Sequence, residues 1–115
     1  MAAGNYDILC EQGATFNLVL TWRNPDQSPI DVTGYTAKMQ VRVSKSDSTA
    51  VLTLQTGSGI TLGGTAGTIT LNASATATNS LDAGTFVYDL ELTSSNGTVT
   101  RLIEGSFTVS GQVTR

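Results

Sequence analysis

Apolar and polar residues alternate along most of the chain, and this period of two is typical of strands that bury one face. The clearest example is Gly84–Ser94, in which the apolar side chains from Phe86 to Leu92 share one parity. The same pattern predicts strands at Thr15–Arg23, Tyr35–Ser44, Ala50–Thr56, Thr68–Ala73 and Thr98–Val109, with a short strand around Ile60 and Leu62.

Turn-forming residues separate these segments. Asn24–Pro29 is rich in them, and proline cannot donate a hydrogen bond to a strand ladder. Asn96 and Gly97 predict a two-residue hairpin turn of type I′, and Gly105 is expected to mark a β-bulge. The helix candidate is the segment 74–81, which begins with a potential N-cap serine and is short.

The pattern predicts an all-β fold, an antiparallel sandwich of about 7–8 short strands with at most one short helix near 74–81. The length of 115 residues fits one domain, residues 1–115, and no linker or repeat divides it. Residues 1–5 are interpreted as an N-terminal arm and residues 111–115 as a C-terminal tail.

Composition narrows the class of protein. Hydrophobic residues make up 39% and charged residues 13%, which argues against intrinsic disorder. The net charge is −3 and six lysines and arginines are scattered along the chain, so neither nucleic acid nor an anionic membrane is an expected partner. There is no basic, apolar leader and no long apolar run, so synthesis and folding in a cytoplasm are expected.

The sequence contains few residues suited to catalysis or to metal binding. Histidine is absent, and Cys10 is the sole cysteine, so a nucleophile paired with an imidazole base is excluded. The glycines of Gly57–Gly67 match no phosphate-binding motif, and the carboxylates match no calcium loop. We therefore expect no enzyme activity, no catalytic residues, no cofactor and no metal site.

Asp89 and Glu91 are the strongest candidates for acid–base chemistry, because they share one face of a predicted strand. The favoured interpretation is that both are solvated charges paired across strands. Their expected partners are Arg42, Lys38 or Arg101.

Three apolar residues depart from the alternation and point outward: Val19, Val87 and Leu102. If they cluster on adjacent strands, they would form a patch for a protein partner. A neutral, threonine-rich surface also suits packing into an assembly. Trp22 and Tyr88 suggest a sugar-binding platform as an alternative, although their parity favours the core.

Five segments, in their order and spacing, resemble small virion proteins of tailed bacteriophages related to the N-terminal domain of upper baseplate proteins. These segments are Glu11–Trp22, Ser28–Arg42, Gly59–Leu71, Leu81–Leu92 and Val99–Arg115. The resemblance implies an immunoglobulin-like sandwich that acts as a structural adaptor in the tail or baseplate, often near fibres. It also implies other virion proteins as partners, several copies in a symmetric assembly, and localisation in the virion.

The resemblance carries no catalytic residues. It implies that Gly34 turns a corner, that Arg42 reaches Asp89 across strands, and that Tyr88 fills the core. A capsid decoration or neck protein of a phage is an alternative with the same fold class, and a carbohydrate-binding module is a further one.

Overall fold

The structure, a computed structural model, describes residues 4–111. Within this range the chain forms nine strands, one short helix and one 3-10 turn (Gly64–Ala66). The strands are β1 (Gly4–Asn5), β2 (Ile8–Glu11), β3 (Phe16–Thr21), β4 (Thr36–Arg42), β5 (Leu52–Thr56), β6 (Gly59–Leu62), β7 (Thr68–Ala73), β8 (Gly84–Thr93) and β9 (Val99–Ser110), and the helix is α1 (Ala75–Asn79).

The two predicted terminal segments fall partly outside the described residues. Of the N-terminal arm, Gly4 and Asn5 form β1, which pairs with β9. Of the C-terminal tail, Gly111 is exposed and the other residues lie outside the described range.

All nine strands belong to one hydrogen-bonded sheet in the order β1-β9-β8-β4-β5-β6-β7-β3, with β2 also paired to β9. The expected antiparallel pairing is confirmed for five of the eight strand pairings within residues 4–111, but β1 and β2 run parallel to β9, and β5 runs parallel to β6. Parallel strands generally need a long connection, although β5 and β6 are joined by Gly57 and Ser58 and pair at only two positions. For β2 and β9, the intervening body of the domain is that connection.

The sheet curls until its two halves pack on each other. Phe16 on β3 and Phe107 on β9 come from distant positions in the strand order, yet their ring centroids are 5.9 Å apart. The core between the halves contains Ile8, Cys10, Phe16, Val32, Ala37, Met39, Val41, Leu54, Ile60, Ile69, Leu71, Ala73, Leu81, Tyr88, Leu90, Leu92, Phe107 and Val109. The two layers expected of a sandwich are thus halves of one continuous sheet, joined by the short β5–β6 pairing.

Local predictions hold well where the alternation is regular. Strand β7 has the predicted bounds, and Ala37, Met39 and Val41 of β4 are buried on one face as expected. The predicted helix is confirmed as α1. The Ser74 side chain caps it by accepting a hydrogen bond from the backbone N–H of Ala77 at 3.1 Å.

The hairpin between β8 and β9 is confirmed, but its turn type differs from the prediction. Gly97 N–H donates to the Ser94 carbonyl at 3.0 Å, so Ser95 and Asn96 are the central residues of the turn. Gly97 has φ of 92°, whereas Asn96 is not at positive φ. This is a type I turn followed by a left-handed glycine, the usual form of the three-residue hairpin loop.

The β-bulge lies at Leu102 and not at Gly105. Leu90 is opposite Ile103 while Glu91 is opposite Arg101, so Leu102 is the extra residue on β9. Gly105 is needed for another reason: a Cβ there would lie 2.4 Å from the Tyr6 carbonyl oxygen. The glycine therefore admits the N-terminal segment against β9.

Candidate interaction face

Cationic side chains gather on the outer face of strands β4, β8 and β9. Within residues 4–111 there are five lysines and arginines, and four of them border this face or its rim. We define the charged face by these four and their polar neighbours: Lys38, Gln40, Arg42, Lys45, Asp89, Glu91, Arg101 and Glu104. The fifth cation, Arg23, lies beyond the end of β3.

Strand register aligns three of these charges in one row. Lys38 is opposite Glu91, and Glu91 is opposite Arg101, so the sign alternates across three strands. The bulge at Leu102 makes this row possible. Because one extra residue separates them, Arg101 points outward with Glu91 whereas Ile103 packs against the core, although both have the same parity in sequence.

Next to this row, two carboxylates lie directly opposite each other, Asp89 on β8 and Glu104 on β9. Like charges in that position repel. Cations offset the repulsion: Arg101 Nε lies 3.4 Å from Asp89 Oδ2, and Arg101 Nη1 lies 3.7 Å from Glu104 Oε1. Lys45 Nζ adds a third contact at 3.4 Å from Glu104 Oε1. These groups are partly exposed, so the pairs arrange charge more than they stabilise the fold.

The predicted pair of Arg42 and Asp89 is not formed. Register places Gln40, not Arg42, opposite Asp89, and Asp89 takes Arg101 as its cation. Arg42 Nη2 instead donates to Gln40 Oε1 at 2.7 Å, and its Nη1 donates to the Asp47 carbonyl. The Arg42 guanidinium is thus held by two neutral acceptors. The sequence-based expectation that Arg101 pairs with these acids is confirmed for Asp89.

An open groove of about 360 Å³ runs along the charged face, with Val87 and Tyr88 among the residues that line it. The Tyr88 hydroxyl donates to the Tyr6 carbonyl, and burial, followed by the nearby Asp7 charge, raises the pKa of this phenol. Burial also raises the pKa of the Cys10 thiol, with a smaller effect of Glu11. Both groups are therefore neutral near pH 7, when neither is a nucleophile.

The opposite half of the sheet differs in kind. The outward residues of β3, β6 and β7 are uncharged, and we call them the neutral face: Asn17, Val19, Thr21, Thr61, Thr68, Thr70 and Asn72. No residue within these three strands carries a charge.

The three apolar residues predicted to form an interface do not meet. Val19 is 57% exposed and lies on the neutral face. Val87 is half-buried in the groove of the charged face, and Leu102 is half-buried in the bulge, where it packs against the core. They occupy separate regions of the surface, so no single apolar patch results.

The aromatic residues considered for a sugar platform are likewise apart. Trp22 packs edge-on against Tyr35 with ring centroids 6.1 Å apart, and both rings are half-buried. Tyr88 is 3% exposed and packs against Phe107. The two rings proposed for a flat, exposed surface thus have different partners.

The described residues can also be compared with the requirements of a metal site and of a membrane-spanning helix. Within residues 4–111, no group of three or more histidine, cysteine, aspartate or glutamate side chains is placed to hold a metal ion. Over the same range, no helix has the length and apolar character to cross a membrane.

Comparison with known proteins adds little. No protein-family model matches the chain, and no curated protein matches it. Extracellular domains 3–5 of Drosophila OTK share 18% identity over 95% of this chain and 33% of theirs, with a TM-score of 0.32. This chain therefore spans about a third of that one. The extracellular domains of the voltage-gated sodium channel beta4 subunit share 12% identity over 98% of this chain and 97% of theirs, with a TM-score of 0.38. Similarity at these scores carries no argument about function.

Proposed function

We propose that this protein is a non-enzymatic structural adaptor of a bacteriophage tail or baseplate, with an immunoglobulin-like sandwich fold, and that it binds other virion proteins through the charged face. The observation that carries the proposal is the concentration of charge of both signs on one open face. Among the described residues Arg42 is held by two neutral acceptors, and its charge can therefore receive a carboxylate from a partner.

Mixed charge suits an adaptor because it sets orientation. Rows of alternating and like charge, such as Lys38–Glu91–Arg101 beside Asp89 and Glu104, fit a partner in one register and repel it in others. A virion component must attach in one orientation at every equivalent position. The charged face meets that requirement better than a plain apolar patch would.

The virion assignment is supported by the resemblance of five segments in order, and the non-enzymatic assignment by the chemistry of the surface. Asp89 and Glu91, considered for acid–base work, lie in an open groove among cations. The resemblance further suggests several copies arranged by the symmetry of the particle. An attachment at the head, as a decoration or neck protein, uses the same face with a different partner.

Locating the chain in the particle tests the assignment. Virions of the encoding phage would be separated into heads and tails, and the chain detected in each fraction by mass spectrometry. We expect it in tails. Detection in heads would favour the decoration or neck alternative, and absence from both fractions would refute the virion assignment.

Charge reversal tests the face. Arg42→Glu with Lys45→Glu reverses two cations of the charged face, and we expect the variant to fold but to be lost from particles. A control, Thr70→Glu with Asn72→Glu, introduces two carboxylates on the neutral face, with a net charge change of −2 instead of −4, and should be incorporated normally. Equal incorporation of both variants would show that the charged face is not the attachment site.

A further inference from the structure

Strand β3 forms an open edge of the sheet. Within residues 4–111 it pairs with β7 alone. Trp22 N–H, at the end of the same ladder, donates to the Gly67 carbonyl at 2.9 Å. In an antiparallel ladder the N–H and C=O of one residue point to the same side, and the side alternates. The backbone groups of Asn17, Val19 and Thr21 therefore point away from β7, to the open side.

This edge lacks the features that keep sheet edges apart. Proteins protect such edges with charged residues, proline or bulges. Phe16–Thr21 contains neither proline nor charge, and its register with β7 is unbroken. Val19, at its centre, is 57% exposed. By contrast, the edge of β9 is covered by β1 and β2.

We propose that β3 pairs with β3 of a second copy of this chain, antiparallel, about a two-fold axis that passes through Val19. In this register Asn17 lies opposite the second copy's Thr21, Val19 lies opposite its counterpart in the second copy, and Thr21 lies opposite the second copy's Asn17. These three pairs exchange hydrogen bonds through their outward backbone groups. Leu18 lies opposite the second copy's Leu20, so half-buried leucines meet half-buried leucines on the core side of the strand. A shift by one residue would set Leu18 against Val19, whose side chain points to the other face.

Charge selects this arrangement over a parallel one. Arg23 extends the strand at one end, and its Nη1 donates to the neutral Gln27 carbonyl at 3.0 Å. At the other end, Glu11 and Thr15 line one groove of about 410 Å³. The proposed register puts Arg23 opposite the second copy's Thr15. Because Thr15 and Glu11 line the same groove, Arg23 then lies near the second copy's Glu11, and the two-fold axis repeats this contact. A parallel pairing would bring the two Arg23 side chains together.

The pairing does not rest on the proposed function, since β3 and the charged face belong to different halves of the sheet. Each subunit of the dimer keeps its charged face free. An experiment can therefore disprove the pairing through β3 without disproving the binding of virion proteins through the charged face, and the reverse is also true.

Sedimentation equilibrium over a range of protein concentrations tests the pairing. We expect a monomer–dimer equilibrium for the unmodified chain and a monomer for Val19→Lys, because two lysines would face each other at the axis. Thr70→Lys is the matched control: Thr70 is the neighbour of Val19 on the neutral face but belongs to an interior strand, so this variant should dimerise. A monomeric unmodified chain, or a dimeric Val19→Lys, would overturn the proposal.

Cross-linking tests the register. In the Cys10→Ala background, Val19→Cys should oxidise to a covalent dimer, since paired Cα atoms lie about 5.5 Å apart, within the reach of a disulfide. Thr21→Cys in the same background should not, because the two copies of Thr21 are offset by about 13 Å along the strands. The reverse outcome would contradict an axis at Val19.

Charge exchange tests the orientation. Arg23→Glu should weaken the dimer, and Arg23→Glu combined with Glu11→Arg should restore it. If the double variant is weaker than the single one, Arg23 and Glu11 do not meet across the interface.

Discussion

The two edges of the sheet are treated differently. At β9 the chain covers its own edge: Tyr6 N–H donates to the Glu104 carbonyl at 3.0 Å, and Ser106 N–H donates to Asp7 Oδ1 at 3.1 Å. At β3 no segment of the described chain does this. Covering an edge from within requires dedicated residues, among them a glycine at 105. Strands β1 and β2 then form the outer edge on that side, whereas β3 forms the opposite edge, which we propose is covered by a second copy of the chain.

The largest effect is expected where the covered edge depends on Gly105. In Gly105→Ala the new Cβ would lie 2.4 Å from the Tyr6 carbonyl oxygen and would push β1 and β2 off β9. We expect the free energy of unfolding to fall by about 3 kcal/mol. Denaturation by urea measures the loss. Gly4→Ala is the control, because its Cβ would make ordinary contacts beyond 3.5 Å. Equal losses in both variants would mean that the close approach at residue 105 is not decisive.

The next effect concerns the connection that leads from the covered edge to the open one. Thr78 of α1 is fully buried; its hydroxyl donates to the Ala14 carbonyl at 2.8 Å and accepts from Gly13 N–H at 3.1 Å. Thr78→Val leaves these backbone groups without that partner and should cost about 2 kcal/mol. Thr78→Ser keeps the hydroxyl and should cost less in the same denaturation assay. A serine variant as unstable as the valine variant would assign the effect to packing.

A smaller effect is expected from the phenol that ties β8 to the covering segment. Tyr88→Phe removes the hydrogen bond to the Tyr6 carbonyl and should lower the free energy of unfolding by about 1 kcal/mol at neutral pH.

The same residue predicts a pH dependence. Burial, and then Asp7, raises the pKa of Tyr88 in the folded state. The unfolded chain therefore loses this proton first, and the stability that the neutral phenol contributes falls as the pH rises above about 10. Denaturation at successive alkaline pH values should show a steeper loss for the unmodified chain than for Tyr88→Phe. Parallel curves would refute the role of Tyr88.

The smallest effect is expected at the open edge itself. Val19 is 57% exposed, so Val19→Lys should change the free energy of unfolding of the monomer by less than about 0.5 kcal/mol. Denaturation of dilute protein measures this. A large loss would show that Val19 supports the fold, and would remove the contrast between the two edges.

Sequence reasoning predicted most of the strands because burial on one face leaves a period of two. It also predicted α1, since Ser74 is a recognisable cap. It missed the parallel pairing of β1 and β2 with β9, which depends on contacts between residues about as far apart as the chain allows. The short strands carry little periodic signal of their own. The sequence draws attention to Gly105 as a glycine within a strand. The close approach of Tyr6 that requires a glycine there is visible only in the three-dimensional structure.

The charged face could be predicted only in part. The alternation along single strands identified Asp89, Glu91 and the cations as outward-facing residues. Which of these side chains pair depends on the order of the strands and on their register, and neither can be read from one strand alone. The missed signal was in the last strand, where Arg101 and Ile103 share a parity that a regular strand could not satisfy, since one is charged and the other apolar. A shift of phase at Leu102 resolves that conflict and gives Asp89 its partner Arg101.

The parallel alignment of β2 with β9 also has a mechanical consequence. Ile8 is opposite Phe107 and Glu11 is opposite Ser110, so β2, close to the start of the described residues, and β9, at their end, point the same way and are hydrogen-bonded side by side. Force that pulls these ends apart acts along the strands and loads the rungs of this ladder together. The domain should thus resist stretching in shear, whereas a hairpin pulled from one end opens rung by rung.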